Sequence, residues 1–245
     1  MKSTEPTEHC NIKAVIPAAG HGSRMQSDIP KQFLTVGGKT LLQYSIEAVC
    51  ADPRVTEVIV AVSDPDSSDL PNASEFHVAQ PVTYISGGDT RAESVCRGVE
   101  YAVAQGATHT LVHDAARPCL PKEALVRVID SGTASQHGAI LAIPVRDSLK
   151  RAMTSSGMAA HIEESVDREH LWQAQTPQVF QAQALLNGIK HMGAHNPQLT
   201  DEASAMQWLG YQPVLVEGAF KNVKVTHPED FECVASWLLA PTTTE

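Results

Sequence analysis

Short apolar runs rich in β-branched residues alternate along the chain with longer segments in which apolar residues recur every three or four positions. The first pattern predicts buried strands and the second predicts amphipathic helices. The predicted strands cover residues 12–18, 55–62, 82–85, 108–113 and 139–145, and the predicted helices cover residues 40–51, 90–105, 121–135 and 226–239. Because strands alternate with helices, we expect an α/β fold with a doubly wound, mostly parallel sheet and helices on both faces.

Two of the predicted helices start at a capping-box pattern, Thr90-Arg91-Ala92-Glu93 and Thr226-His227-Pro228-Glu229. In a capping box, the first side chain and the acidic side chain three residues later satisfy the free N–H groups of the first turn. A proline in the first turn is compatible with a helix start. We therefore expect helices to begin at Thr90 and at Thr226.

Residues 146–170 depart from this alternation. They are polar and carry a Ser-Ser-Gly turn at 155–157 between two candidate strands, residues 148–152 and 158–166. This pattern predicts a β-arm that leaves the sheet of a single domain spanning residues 1–245. Because an isolated two-stranded hairpin is marginal in water, the arm is expected to pack on something, either a partner subunit or the chain's own domain.

Composition excludes several classes of protein. Hydrophobic residues make up 42% and charged residues 19% of the chain, which is typical of a globular protein. With 18 basic and 28 acidic residues the net charge is −10, so we expect no nucleic-acid partner. No apolar run reaches the roughly 18–20 residues of a membrane span, and the N-terminus lacks a signal-peptide pattern. Five scattered cysteines without a Cys-x-x-Cys pair favour reduced thiols in a cytoplasmic protein.

The first predicted strand is followed by a glycine-rich loop, Pro17-Ala18-Ala19-Gly20-His21-Gly22-Ser23-Arg24-Met25, and then by Pro30-Lys31-Gln32. Gly20 and Gly22 allow backbone N–H groups to approach a phosphate closely. Arg24 and Lys31 add two cations, which suits a polyphosphate with an anionic leaving group. A dinucleotide fingerprint would need a third small residue where Met25 stands. The alternative is a tight turn with two solvated cations.

Two further loops follow predicted strands. Gly87-Gly88-Asp89 precedes a helix, so its free N–H groups can read a base edge or a phosphate, although capping by Thr90 alone would explain the loop. Asp114 follows the strand 108–113 and is placed to hold Mg²⁺ together with substrate phosphates. An ion pair between Asp114 and Arg117 that holds the loop is the alternative, and both can be true.

Other chemistry lacks support in the sequence. Gly38-Lys39-Thr40 imitates the end of a phosphate-binding Walker motif, but the glycine required earlier in that motif is replaced by Phe33. The histidine pairs 109/113 and 191/195 lack the glutamate of a zinc-protease motif. No Gly-x-Ser-x-Gly pattern marks a hydrolase nucleophile.

The glycine-rich loop belongs to a longer series of motifs. The others are Gly87-Gly88-Asp89-x-Arg91-x-x-Ser94, His113-Asp114-Ala115-Ala116-Arg117-Pro118, Val166-Asp167-Arg168, Thr176-Pro177-Gln178, Thr200-Asp201-Glu202-Ala203-Ser204 and Asn222-Val223-Lys224-Val225-Thr226-x-Pro228-Glu229-Asp230. In this order and spacing, residues 12–235 resemble the 2-C-methyl-D-erythritol 4-phosphate cytidylyltransferase family, whose members serve the non-mevalonate isoprenoid pathway.

The resemblance implies a Rossmann-like nucleotidyltransferase fold and transfer of CMP from the co-substrate CTP to 2-C-methyl-D-erythritol 4-phosphate, with release of pyrophosphate and with Mg²⁺ as cofactor. It also implies a homodimer in which β-arms are exchanged. Two other interpretations stay open: a cytidylyltransferase for another polyol phosphate such as ribitol 5-phosphate, and a non-catalytic nucleotide-binding protein on the same fold.

The resemblance also assigns roles to residues of this chain. It implies that CTP is bound by Ala18, Ala19, Gly20, Gly87, Gly88, Asp89 and Ser94, with Asp114 at the Mg²⁺ site. It implies catalytic roles for Arg24, Lys31, Arg168 and Lys224. It implies that the acceptor is bound by Arg117, Ser148, Arg168, Thr176, Thr200, Lys224 and Thr226, with Arg168 serving the partner's site. Two positions depart from the family pattern: Ser23 stands where a second basic residue is common, and Ser148 stands where Thr is frequent.

Overall fold

The computed structural model of the chain describes residues 10–20, 29–72, 75–153 and 160–240. In these ranges the strands are β1 (Ile12–Pro17), β2 (Thr35–Val36), β3 (Lys39–Thr40), β4 (Val55–Val62), β5 (Val82–Ser86), β6 (His109–Val112), β7 (Ala139–Pro144), β8 (Leu149–Ala152), β9 (Ile162–Val166), β10 (Trp172–Gln181) and β11 (Val214–Glu217). The helices are α1 (Leu41–Val49), α2 (Arg91–Ala104), α3 (Lys122–Ala134), α4 (Ala182–Met192), α5 (Glu202–Trp208) and α6 (Pro228–Leu239), with a 3₁₀ turn at Lys31–Phe33.

Seven strands form one central sheet in the order β11-β7-β10-β6-β1-β4-β5. All neighbouring pairs are parallel except those of β10, which runs antiparallel to both β6 and β7. The expected mostly parallel α/β sheet is therefore confirmed.

Helices cover both faces of this sheet. Ile12, Ala14 and Ile16 of β1 are fully buried and belong to one apolar cluster with residues of α1 and α3. Val15 faces the other way, into a second cluster with residues of α2, α4 and α5. Because both faces of β1 are covered, its sequence is a continuous apolar run instead of an alternating one.

The capping box at Thr90 is confirmed. Thr90 Oγ1 accepts the N–H of Glu93 at 3.0 Å, and Glu93 Oε2 accepts the N–H of Thr90 at 3.2 Å. This cap fixes where the Gly87-Gly88-Asp89 loop ends and where α2 begins.

The predicted cap of α6 is wrong by one residue. The helix begins at Pro228 with His227 as N-cap, and the carboxylate of Asp230 accepts the N–H groups of both Thr226 and His227, each at 2.8 Å. Pro228 sets the register because it suits the first helical position, and Asp230 then lies where it can reach back to the residues before it.

Strand β10 is absent from our sequence prediction, which left the end of the polar region without a sheet strand. It is inserted between β6 and β7 in the middle of the sheet. Its pairing with β7 is interrupted between Ala174 and Gln178. The backbone of residues 175–177 therefore does not pair with β7.

The arm forms a separate two-stranded sheet of β8 and β9. Most residues of the two strands are exposed, and Ile162 keeps 64% of its surface accessible. The Ser-Ser-Gly turn predicted at 155–157 lies outside the described residues. Across the described ranges, no helix is long and apolar enough to cross a membrane.

The packing of α2 on β1 depends on Gly98, because a Cβ at this position would overlap Cγ1 of Val15. We expect Gly98→Val to lower the free energy of unfolding by about 1–3 kcal/mol through overpacking, as measured by urea denaturation. Ala104→Val, at an exposed position of the same helix, is the matched control and should have little effect. Equal stabilities of the two variants would contradict this account of the contact.

Candidate active site

Loops that follow β1 and β6 meet at the carboxyl edge of the sheet, where parallel α/β sheets bind ligands. Together with the N-terminal part of α2 they enclose a cleft of about 260 Å³, the first cleft. Its walls are formed by Pro17, Ala18, Ala19, Gly20, Lys31, Gln32, Arg91, Ser94, Asp114, Ala115, Ala116 and Lys224.

The start of the glycine-rich loop, at Ala18 and Gly20, is held by a buried amide. Gln32 Nε2 donates to the carbonyl oxygens of Ala18 at 2.7 Å and Gly20 at 2.9 Å. These contacts satisfy both carbonyl oxygens and fix the backbone of Ala18 and Gly20, the described start of the loop.

The two glycine-rich loops touch each other. A Cβ on Gly87 would lie 2.7 Å from Cβ of Ala19, so only glycine permits this approach. The N–H of Gly88 donates to Ser94 Oγ at 3.0 Å, while Asp89 is exposed. Four of the residues predicted to surround a nucleotide are therefore adjacent: Ala19, Gly87, Gly88 and Ser94.

A second cleft of about 290 Å³ adjoins the first. It is lined by Arg91, Asp114, Arg117, Ala174, Gln175, Thr176, Gln178, Thr200, Asp201 and Lys224. Arg91, Asp114 and Lys224 line both clefts. A ligand in one cleft and a ligand in the other would thus approach the same three side chains.

Asp114 is at the centre of this shared boundary and is surrounded by cations. Its Oδ1 accepts from Arg91 Nε at 3.0 Å, and its Oδ2 lies 2.9 Å from Lys224 Nζ and 3.4 Å from Arg117 Nε. Burial alone would raise the pKa of the Asp114 carboxyl, but the three cations outweigh burial and hold the pKa well below its usual range. The ion pair between Asp114 and Arg117 expected from the sequence is present, as one of three.

A chain of buried hydrogen bonds fixes the backbone at Asp114. The N–H of Asp114 donates to Thr176 Oγ1 at 3.0 Å, and Thr176 Oγ1 lies 3.0 Å from His113 Nδ1. His113 Nε2 lies 3.1 Å from the carbonyl oxygen of Arg117, which can only accept. Neutral His113 with its proton on Nε2 satisfies every group in this chain, with Thr176 donating to Nδ1.

Lys224, which lines both clefts, belongs to a segment, residues 222–226, that is tied to the rest of the site by hydrogen bonds. Asn222, fully buried, donates to the carbonyl oxygen of Thr176 at 2.7 Å, within the interruption of β10. Arg117 Nη1 donates to the carbonyl oxygen of Asn222 at 2.7 Å, and Lys31 Nζ donates to that of Val225 at 2.8 Å. These contacts fix the segment that carries Lys224 and bring Lys31 beside it.

The remaining predicted residues are placed less centrally. Thr200 lines the second cleft, whereas Thr226 Oγ1 donates to the carbonyl oxygen of Lys224 at 3.2 Å and so supports the backbone of that lysine. Ser148 and Arg168 are exposed near the arm and are not among the described residues that line either cleft. The guanidinium of Arg168 donates to the carbonyl oxygen of Arg146. Arg24, Gly22 and Ser23 lie outside the described residues.

Four polar residues that the sequence prediction assigned no role hold the site together. They are Gln32, Arg91, Glu202 and Asn222. Arg91 and Glu202 each lie within a motif of the sequence and are each the first residue of a helix, and this position is a signal that could have identified them. Gln32 and Asn222 carry no comparable signal, because their partners are distant or backbone atoms.

Asp114 fits a metal that arrives together with phosphates and does not fit a preformed metal cage. Within the described ranges, no group of three or more His, Cys, Asp and Glu side chains could hold a metal ion. Magnesium needs only one or two carboxylates when substrate phosphates complete its shell. Lys224, with 36% of its side chain exposed, is the partner of Asp114 that can most readily yield a carboxylate oxygen to such an ion.

Two adjoining clefts that share a cluster of cations can bring two phosphorylated molecules together, which is the task of a nucleotidyltransferase. Comparisons with known proteins agree with this class. The family model for 2-C-methyl-D-erythritol 4-phosphate cytidylyltransferase (IspD) matches residues 12–240.

Relatives with this description cover nearly the whole chain. A protein of that name from Idiomarina loihiensis is 63% identical over 234 residues, covering 94% of this chain and 92% of the relative. The one from Escherichia coli is 43% identical over 234 residues, covering 95% of each. The crystal structure of a Francisella tularensis 2-C-methyl-D-erythritol 4-phosphate cytidylyltransferase is 29% identical with a TM-score of 0.76, covering 94% of this chain and 100% of that one. The chain belongs to the 2-C-methyl-D-erythritol 4-phosphate cytidylyltransferase family.

The hydrogen-bond chain at His113 predicts a dependence of stability on pH. Burial lowers the pKa of His113 to about 4. Between the ordinary histidine value of about 6.5 and this value, the unfolded state binds a proton that the folded state does not. The free energy of unfolding should therefore fall as the pH drops through this window, by at most about 1.4 kcal/mol per pH unit.

Urea denaturation across this window would test the prediction. His113→Gln should be less stable at neutral pH, because it loses the buried hydrogen bonds, but its free energy of unfolding should lack this part of the dependence on pH. If the wild-type protein and the variant had the same slope, His113 would not be the group responsible.

Proposed function

We propose that the first cleft holds CTP and that the second cleft holds 2-C-methyl-D-erythritol 4-phosphate. The enzyme transfers CMP to this acceptor and releases pyrophosphate, which forms 4-diphosphocytidyl-2-C-methyl-D-erythritol. The observation that supports this arrangement most directly is that Asp114 and Lys224 line both clefts. A phosphate of each ligand would thus meet at one boundary. The names of the relatives favour this acceptor over ribitol 5-phosphate.

The acceptor's phosphate oxygen attacks the α-phosphorus of CTP in line, the new P–O bond forms, and the bond to the β-phosphate oxygen breaks. A phosphomonoester has its second pKa near about 6, so the nucleophile is mostly a dianion at neutral pH and needs no general base. Repulsion between the two anions is the main obstacle. Two unit charges about 4 Å apart repel by roughly 4 kcal/mol at an effective dielectric constant of 20.

The cations of the site offset this repulsion. We assign Lys31 and Arg24 to the triphosphate and to the charge that develops on the leaving pyrophosphate. Lys224 and Arg117 orient the acceptor phosphate, and Asp114 holds both of them at the boundary. The backbone of the loops at Ala18 and Gly88, with Ser94 behind them, frames the cytosine, and Thr176 and Thr200 contact the acceptor. Alignment and charge stabilisation then supply the rate enhancement.

Mg²⁺ belongs to this proposal as a cofactor held by Asp114 and the phosphates of CTP. When bound, it would withdraw charge from the triphosphate oxygens. Asp114 is the carboxylate that lines the first cleft, and a single carboxylate is enough when substrate phosphates complete the shell of the ion.

We also propose that the enzyme is a homodimer in which each arm completes the partner's second cleft. The exposed strands β8 and β9 and the exposed Met153 and Ile162 support this proposal, because a two-stranded hairpin with apolar residues in water gains stability only by packing. Arg168 and Ser148 would then reach an acceptor in the partner's cleft. The five free cysteines fit a cytoplasmic location.

Pyrophosphate release from CTP, Mg²⁺ and 2-C-methyl-D-erythritol 4-phosphate tests the activity. Lys224→Ala should lower kcat by at least about a hundredfold, because a cation at the reacting phosphates is lost. Lys221→Ala, three residues earlier and exposed, is the matched control and should keep wild-type kinetics. Near-normal kcat in Lys224→Ala would remove this lysine from the chemistry, and an inactive wild-type enzyme would refute the proposed reaction.

Mixed dimers test the exchanged arm. Lys31→Ala and Arg168→Ala chains should each be nearly inactive alone. In a dimer of one chain of each kind, one site combines the wild-type Lys31 of one chain with the wild-type Arg168 of the other. Random mixing should restore about a quarter of the wild-type sites. If mixing restored no activity, Arg168 would act within its own chain or not at all.

A further inference from the structure

Arg91 connects three parts of the site through one guanidinium. Its Nε donates to Asp114 Oδ1 at 3.0 Å, while Nη1 and Nη2 donate to the two carboxylate oxygens of Glu202 at 2.7 and 3.2 Å. Arg91 is the first residue of α2, and Glu202 is the first residue of α5. The side chain thus ties the start of α2 and the carboxylate of Asp114 to the start of α5, beside Thr200 and Asp201 of the second cleft.

The arrangement uses the geometry that distinguishes arginine from lysine. A planar guanidinium can grip one carboxylate with two N–H groups and still present Nε to another acceptor. Glu202 is 3% exposed and Asp114 is 8% exposed, so neither carboxylate can turn to water if Arg91 is lost. Each carboxylate would then pair with another cation within the site.

The consequence falls on Lys224 and Arg117. With Arg91 in place, Asp114 is held at Oδ1 and offers only Oδ2 to these two side chains. Without Arg91, both oxygens of Asp114 would be available to them. The ammonium of Lys224 and the guanidinium of Arg117 would be drawn toward the carboxylate and away from the space where a phosphate must bind.

We propose that Arg91 and Glu202 are a positioning pair, which fixes Asp114 and the segment at Thr200 so that Lys224 stays available to the acceptor phosphate. The kinetic effects expected of this pair rest on the proposed function. Glu202 is not among the described residues that line either cleft, so any effect of Glu202 on the reaction passes through Arg91 or through α5.

Steady-state kinetics of Glu202→Gln and Arg91→Gln test the proposal. We expect each to lower kcat/KM for the acceptor by about tenfold or more, since small displacements of positioned groups are costly, while KM for CTP changes by less than about threefold. The double variant should be no worse than the more impaired single variant, because the two residues act as one unit. Arg91→Lys should not restore activity, because an ammonium cannot bind both carboxylate oxygens of Glu202 and Asp114 at the same time in this planar arrangement.

The chain offers a matched control pair that also joins α2 to another helix on the same face of the sheet. Lys190 of α4 lies 2.6 Å from Glu100 of α2, and both side chains are about half exposed. Lys190→Gln and Glu100→Gln remove an ion pair of α2 outside the site and should leave all kinetic constants unchanged.

Three results would overturn the proposal. A rise in KM for CTP as the main effect of Arg91→Gln would make Arg91 a nucleotide ligand. Unchanged kinetics with reduced stability would make the pair a fold contact only. Additive losses in the double variant would mean that the two residues act separately.

Amide hydrogen exchange separates this proposal from the proposed reaction. Exchange in residues 113–117 should be faster in Glu202→Gln than in wild type and unchanged in Glu100→Gln, whether or not the wild-type enzyme is active in the assay. Unchanged exchange in this loop would overturn the positioning role even in an active enzyme.

Discussion

A single buried carboxylate that holds three cations is the constraint on which the site depends. Asp114 contacts Arg91, Lys224 and Arg117, and without its negative charge these side chains would repel one another in a poorly hydrated space. Among the side chains that line the clefts, together with Glu202, four cations outnumber three carboxylates, so an excess of positive charge remains where phosphates must enter. The net charge of the chain is −10, and the local field is therefore opposite in sign to that of the whole molecule.

The fold places this carboxylate by fixing the backbone around it. The N–H of Asp114 is held by Thr176, and the strand that carries Thr176 leaves its pairing with β7 at this point. The same interruption exposes the carbonyl oxygen of Thr176 to Asn222, which positions the segment that carries Lys224. A defect in the regularity of the sheet thus becomes the attachment point for two sides of the site.

The parts of this structure that could be predicted from sequence are those with local signals. The glycines at 20, 87 and 88, the cap at Thr90 and the apolar runs of β1 and β4 each reflect the conformation of a few neighbouring residues. Resemblance to a family supplied Lys224 and Thr200, which no local pattern marks. Strand β10 was missed because glutamines and threonine at the interruption face the cleft, which removes the apolar pattern expected of a central strand.

The contacts that could not be predicted from the sequence join residues that are far apart along the chain. Arg91 and Glu202 are 111 positions apart, and Arg117 and Asn222 are 105 positions apart, so only the folded topology reveals that they meet. The cap of α6 was misplaced by one residue for a different reason: two overlapping patterns competed, and Asp230 prevailed over Glu229 because it reaches the N–H of His227.

The shared boundary of the two clefts also bears on inhibitor chemistry. Arg91, Asp114 and Lys224 line both clefts. The two clefts therefore meet at these side chains, and no other described residues separate them there. A bisubstrate compound that links a pyrimidine nucleoside to a polyol through a short anionic bridge would meet both halves of the enzyme at once. Its second half would bind at a high effective concentration, and it would need to lose rotational and translational freedom only once.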